Sequence, residues 1–84
     1  MGERLMTVLL FAAARDLAGA DSVMVELPPG STIAELRSNL ARRIPAISGL
    51  LAKSAIAVNH DFAEDDRVLQ PNDELAVIPP VSGG

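Results

Sequence analysis

Two signals lying close together most constrain how this chain can fold. Pro28-Pro29-Gly30 must stop a strand, because neither proline can donate to a ladder. Two residues later, Thr32 and Glu35 carry the spacing of a capping box, which opens a helix. Upstream of the break, Val23, Val25 and Leu27 alternate with Ser22, Met24 and Glu26, the pattern of a strand with one apolar face. Downstream, Ile33, Leu36, Leu40 and Ile44 recur at spacings of three and four, giving one apolar stripe. Arg37, Arg42 and Arg43 lie off that stripe, the last two near the negative end of the helix dipole, and Pro45 marks the end.

The rest of the chain supplies mainly strands. Leu5-Met6-Thr7-Val8-Leu9-Leu10-Phe11 is apolar and rich in β formers, so a first strand is expected there. Ala12 to Ala18 suits a helical turn ending at Gly19. Ile47, Leu50 and Leu51 pin a connecting segment to the core. Ala55-Ile56-Ala57-Val58 reads as a strand, Asn59-His60-Asp61 as a turn, and Arg67-Val68-Leu69 as a brief strand. Gln70-Pro71-Asn72-Asp73 fits a type I turn before a final strand, Leu75-Ala76-Val77-Ile78. Strand, strand, helix, strand, short strand, strand is the order of a mixed α+β sheet with one main helix on one face. The first and last strands can then lie side by side at its centre, the β-grasp or ubiquitin-like layout. At 84 residues this is one domain, with residues 1–80 forming the β-grasp body and residues 81–84 a flexible C-terminal tail. A chain of this size buries only roughly 60–65% of its unfolded surface, leaving little room for an enclosed catalytic pocket.

Composition excludes several functions. There are no cysteines, hence no disulfide, thiolate metal site or cysteine nucleophile, which suits a reducing compartment. A formal charge of −4 disfavours nucleic acid. No apolar run approaches the roughly 20 residues that cross a bilayer, and a cytoplasmic protein is expected. His60 has no nucleophile beside it, Glu64-Asp65-Asp66 lacks the looped spacing of a calcium site, and no glycine-rich phosphate loop is present. Ser31 and Ser82 have no base near them in sequence, and Lys53, the only lysine, reads as simply exposed. The expectation is no metal and no stably bound cofactor.

The segment after the last strand stands apart. A terminal glycine pair such as Gly83-Gly84 arises by chance in roughly 0.5% of chains at average glycine usage. Its setting adds weight: Pro79-Pro80 forces an extended exit, so Val81, Ser82, Gly83 and Gly84 should project. Two residues without Cβ atoms suit a narrow channel in a partner. Adenylation would turn a Gly84 carboxylate into an acyl phosphate anhydride open to a sulfur nucleophile. The product, a thiocarboxylate, holds sulfur without any cysteine.

On these residues the chain resembles the small subunit of molybdopterin synthase, the MoaD family within the ThiS/MoaD ubiquitin-like superfamily. The resemblance runs from about Met6 to Gly84. It is carried by the segment Leu10 to Gly19, by Ser31 to Leu36, by Ala57-Val58-Asn59, and above all by Asp73 to Gly84 with its ending Pro79-Pro80-Val81-Ser82-Gly83-Gly84. It implies adenylation of Gly84 by an E1-like enzyme (MoeB-like) using ATP, then conversion to a thiocarboxylate. It also implies a complex with a large subunit (MoaE-like) that holds the catalytic groups and converts cyclic pyranopterin monophosphate to molybdopterin. This chain would be the non-catalytic sulfur donor. By motif position the resemblance implies a docking patch of Phe11, Phe62 and Ile78, flanked by Pro79 and Pro80. Strand parity agrees, since Phe11 faces away if Met6, Val8 and Leu10 face the helix, as does Ile78 against Leu75 and Val77. On composition alone, both phenylalanines would belong to the core. The turn at Pro71-Asn72-Asp73 and the compact segment Ala46 to Lys53 depart from the family pattern, and the first four or five residues fall outside it. Three other readings stay open: a related carrier for thiazole, cysteine or tRNA thiolation, a protein modifier conjugated through Gly84, and a plain binding module.

Overall fold

The computed structural model describes residues 4–80. Its first strand, β1 (Arg4–Leu10), stops one residue before Phe11, whose extended backbone (φ −124°, ψ 155°) caps the short helix α1 (Ala12–Ala18). The Phe11 carbonyl accepts from the Ala14 N–H at 3.0 Å, drawing the chain out of the sheet. Gly19 ends α1 in the left-handed region at φ 74°, where its N–H donates to the Arg15 carbonyl. Only a residue without Cβ takes that conformation without strain. The chain then returns as β2 (Ser22–Leu27), antiparallel to β1. Val25 and Leu27 are buried and Val23 is half-buried, while Ser22, Met24 and Glu26 face water, as the alternation requires.

Helix α2 (Ile33–Arg43) begins with the capping box that its sequence encodes. The Glu35 N–H donates to Thr32 Oγ1 at 3.3 Å and the Thr32 N–H to Glu35 Oε1 at 2.8 Å. Ile33, Leu36 and Leu40 are fully buried, and Ile44 packs at the core's margin. Pro45 opens a 3-10 turn (Pro45–Ile47) that leads into a one-turn helix, α3 (Ser48–Leu51). Arg37, far from being a free surface cation, ties three segments together. Its Nη1 donates to the Leu51 carbonyl at 2.6 Å and its Nε to Asp65 Oδ1 at 2.9 Å. The acidic stretch at 64–66 is thereby held through Asp65 rather than left wholly to solvent.

Strands β3 (Ala55–Val58), β4 (Asp61–Ala63) and β5 (Leu75–Ile78) complete a five-stranded sheet ordered β2-β1-β5-β3-β4. β1 and β5 run parallel at the centre and every other pair is antiparallel. The short strand expected at Arg67-Val68-Leu69 belongs instead at Asp61–Ala63. Asn59 and His60 both take positive φ (53° and 74°), the geometry of a two-residue hairpin turn, which folds Asp61 straight back onto β3. Residues 67–69 bond to the start of α2 instead: Ile33 N–H to Arg67 O, Leu69 N–H to Ser31 O, and a single bridge between Thr32 and Val68. The core is aliphatic and lies between the helices and one sheet face, drawing on Val8, Leu10, Val25, Ile33, Leu36, Leu40, Ile47, Ile56, Leu75 and Val77. This is a β-grasp, α+β architecture.

Candidate functional site

The sheet face turned away from the helices carries the one feature that composition argued against, an exposed pair of aromatics. Phe11 is 43% and Phe62 75% exposed, so neither belongs to the core. Register explains their placement. Val8, Leu10, Leu75, Val77, Ile56 and Val58 point inward, so the residues alternating with them point out. Leu9 pairs with Ala76, Ala76 with Ala57, and Ala57 with Phe62, forming one row across four strands. Two alanines at the middle of that row keep its floor low. Phe62 ends that row, Phe11 and Ile78 lie next along their chains from Leu9 and Ala76 on the same face, and together they line an open, mostly apolar hollow of about 330 Å³.

One rim is polar. His60 Nε2 lies 3.2 Å from Glu74 Oε1, both side chains largely solvated, so His60 pairs across strands and not with its neighbour Asp61. The turn that holds His60 is fixed by Asn59. The Asn59 amide donates to Asp73 Oδ1 (2.8 Å), its carbonyl oxygen accepts from the Glu74 N–H (2.9 Å), and its backbone N–H donates to the Glu74 carbonyl (2.8 Å). Asp73 in turn closes the Gln70–Asp73 turn, accepting from the Gln70 N–H through Oδ2 (2.7 Å) and donating its own N–H to the Gln70 carbonyl. The turn joining β3 to β4 and the loop before β5 therefore brace each other beside the residues that form the hollow's polar rim.

Of the residues singled out from sequence, the structure brings Phe11, Phe62 and Ile78 together around one hollow. Pro79 is buried and Pro80 exposed, so of the two prolines only Pro80 adds surface. Val81, Ser82, Gly83 and Gly84 lie outside the described residues. Leu9, Ala57, Ala76, His60 and Glu74 also line the hollow and were not anticipated. Strand parity with Phe11 and Ile78 could have found Leu9 and Ala76. Ala57 needed the β3–β5 register, which no local pattern specifies. Among the described residues, no group of three or more His, Asp or Glu side chains is arranged to hold a metal ion. No helix there is long and apolar enough to cross a membrane. What the face offers chemically is adhesion: an apolar recess with a charged edge, and no nucleophile with its base.

Comparison with known proteins bears on what such a face serves. The ThiS family profile matches residues 8–84. The molybdopterin synthase sulfur carrier subunit of Dictyostelium discoideum is 41% identical over 80 residues, covering 92% of this chain and 93% of that protein. Among solved structures, a putative molybdopterin converting factor subunit 1 from Pyrococcus furiosus superposes with a TM-score of 0.83 at 30% identity, covering 93% of this chain and 99% of its own. SAMP1 from Haloferax volcanii superposes with a TM-score of 0.84 at 28% identity, covering 95% and 99%.

Proposed function

Because this chain belongs to the ThiS family, we propose that it is the sulfur carrier subunit of a molybdopterin synthase and that the Gly84 carboxyl carries the sulfur. The observation that carries this reading is the near full-length likeness to sulfur carrier subunits, with a family match that continues through Gly84. The absence of cysteine is consistent with it, since the cargo then sits on a carboxyl carbon.

The chemistry proceeds in balanced steps. The Gly84 carboxylate attacks the α-phosphorus of ATP on an adenylating enzyme, and pyrophosphate leaves. Sulfide, HS−, then attacks the acyl carbon, the C–O bond to AMP breaks and AMP leaves, giving the thiocarboxylate. In the synthase, that sulfur bonds to a carbon of cyclic pyranopterin monophosphate, and water then cleaves the acyl–sulfur bond, leaving the sulfur on the pterin and returning Gly84 to a carboxylate. The proton-moving groups belong to the large subunit, and this chain contributes the reacting atom and the surface that positions it. The hollow around Phe11, Phe62 and Ile78 is the docking site for both enzymes. An apolar recess beside the end of β5 lets a partner grip the domain while residues 81–84 reach into its active site.

Intact mass after incubation with the adenylating enzyme, ATP and a sulfur donor tests this. Exchange of one oxygen for sulfur at Gly84 is the expected result, and it also establishes Gly84 as the reacting terminus. An unchanged mass with no adenylate formed removes the carrier reading. Loss of Gly84 should abolish activation and leave the thermal unfolding of the domain unaltered. A second reading is favoured by the likeness to SAMP1, a small archaeal modifier protein: Gly84 joined to amines of other proteins. Conjugates that survive thiol reductants would select it.

A further inference from the structure

Charge is divided between the two faces of the sheet. Arg15, Arg37, Arg42 and Arg43 lie on α1 and α2, Arg67 on the segment bonded to the start of α2, and Lys53 in the turn after α3. Arg4, the seventh basic residue, is the only one on a strand, and it has the inward parity of Met6 and Val8. No basic residue therefore occupies a strand position that faces outward. Acidic ones do. Alternation with Val25 and Leu27 turns Glu26 outward, and alternation with Leu75 and Val77 does the same for Glu74. Of the two, only Glu74 lines the hollow.

Glu74 is fixed through its backbone and left open at its side chain. Its N–H donates to Asn59 Oδ1 at 2.9 Å and its carbonyl accepts from the Asn59 N–H at 2.8 Å. The carboxylate is 52% exposed, and among the described residues no arginine or lysine pairs with it; its one close partner is His60 Nε2 at 3.2 Å. A partner that covers the hollow must take water from this carboxylate. That loss is offset only if the partner brings a positive charge in its place. A covering surface with apolar groups alone would leave the carboxylate dry and uncompensated, and one bearing a carboxylate there would be repelled.

We propose that the partner seated on this face presents a cationic side chain opposite Glu74, beside the apolar group that enters the recess, and that Glu74 thereby selects the partner. This rests on the recess being the docking site for the synthase large subunit. The recess supplies adhesion without discrimination, because any apolar side chain of suitable size can enter it. The carboxylate at its edge adds the discrimination. With the cations kept off this face, the domain also approaches a basic surface sheet-first, so the charge acts before contact as well as after it.

The test titrates the large subunit with the whole protein and follows affinity and association rate between about 0.01 M and about 1 M salt. Glu74→Gln keeps the shape and the backbone bonds to Asn59, so unfolding in urea should be unchanged. It should weaken binding about fivefold at low salt, mainly through slower association, and the deficit should shrink as salt rises. Glu74→Lys should weaken it about a hundredfold. Glu26→Gln makes the same charge change on the same face outside the hollow, and should alter affinity less than about twofold. Wild-type affinity in Glu74→Gln, or an equal loss in Glu26→Gln, would overturn the proposal. Phe62→Ala separates the two readings. If it binds weakly while Glu74→Gln binds normally, the recess stands and the cation seat falls; if both bind like wild type, the docking reading falls and this inference with it.

Discussion

Asn59 uses both ends of its side-chain amide and its backbone N–H to bind the loop before β5, while holding a positive φ that few side chains tolerate. Asn59→Ala removes two side-chain hydrogen bonds and strains the turn, so a loss of about 1–3 kcal/mol is expected in urea unfolding. A loss below that range would mean that the bracing is incidental. Phe62 poses the opposite case. At 75% exposure it contributes little to folding, and Phe62→Ala should alter stability by no more than about 0.5 kcal/mol. The same change removes one wall of the hollow and should weaken binding to the large subunit roughly tenfold by titration calorimetry. Unaltered affinity would move the docking site elsewhere. Gly19, at φ 74°, belongs to the same scale: Gly19→Ala should cost about 1 kcal/mol through backbone strain alone, since an added Cβ meets no neighbour.

Among the elements, α2 rests on the signal that was plainest in the sequence. Thr32→Ala breaks the capping box and should cost about 1 kcal/mol, visible as a lower urea midpoint at unchanged slope. The floor of the hollow depends on small residues in adjacent strands. Ala76→Leu should leave the fold intact and fill the recess, blocking partner binding more completely than loss of Phe62. Retained binding in that variant would show that partners do not enter the recess. These two examples also show what was legible before the structure. The cap, Gly19, the prolines and the strand alternation are local signals, and each element they mark is present. β4 and the Ala57–Ala76 floor are not local. They depend on which strand lies beside which; the turn at Asn59-His60 was legible as a turn, but without the usual glycine its tight two-residue hairpin geometry was not. The exposure of both phenylalanines ran against composition for the same reason, since strand parity decides the face and composition does not.

For the molecule as a whole, the sheet order makes β1 and β5 central and leaves β2 and β4 as edges. Amide exchange should be slowest in β1 and β5, including Leu10 and Val77, and fastest in the three-residue β4, which has only β3 as a neighbour. Comparable protection in β4 and β5 would contradict the ladder. The same topology explains how so small a domain leaves an apolar recess facing water. The helices cover only one face of the sheet, and its core is already complete without the aromatics. The buried core and the apolar recess thus lie on opposite faces of the sheet, so side chains lining the recess can be changed with little effect on the core.

The parallel pairing of β1 with β5 has a consequence for biosynthesis. A nascent chain that has not yet emerged through residue 78 lacks the strand on which β1 and β3 both depend, and its sheet falls into two fragments. A chain broken off before that point would leave β1 and β3 each with an unpaired edge, open to pairing with other chains and so prone to aggregate.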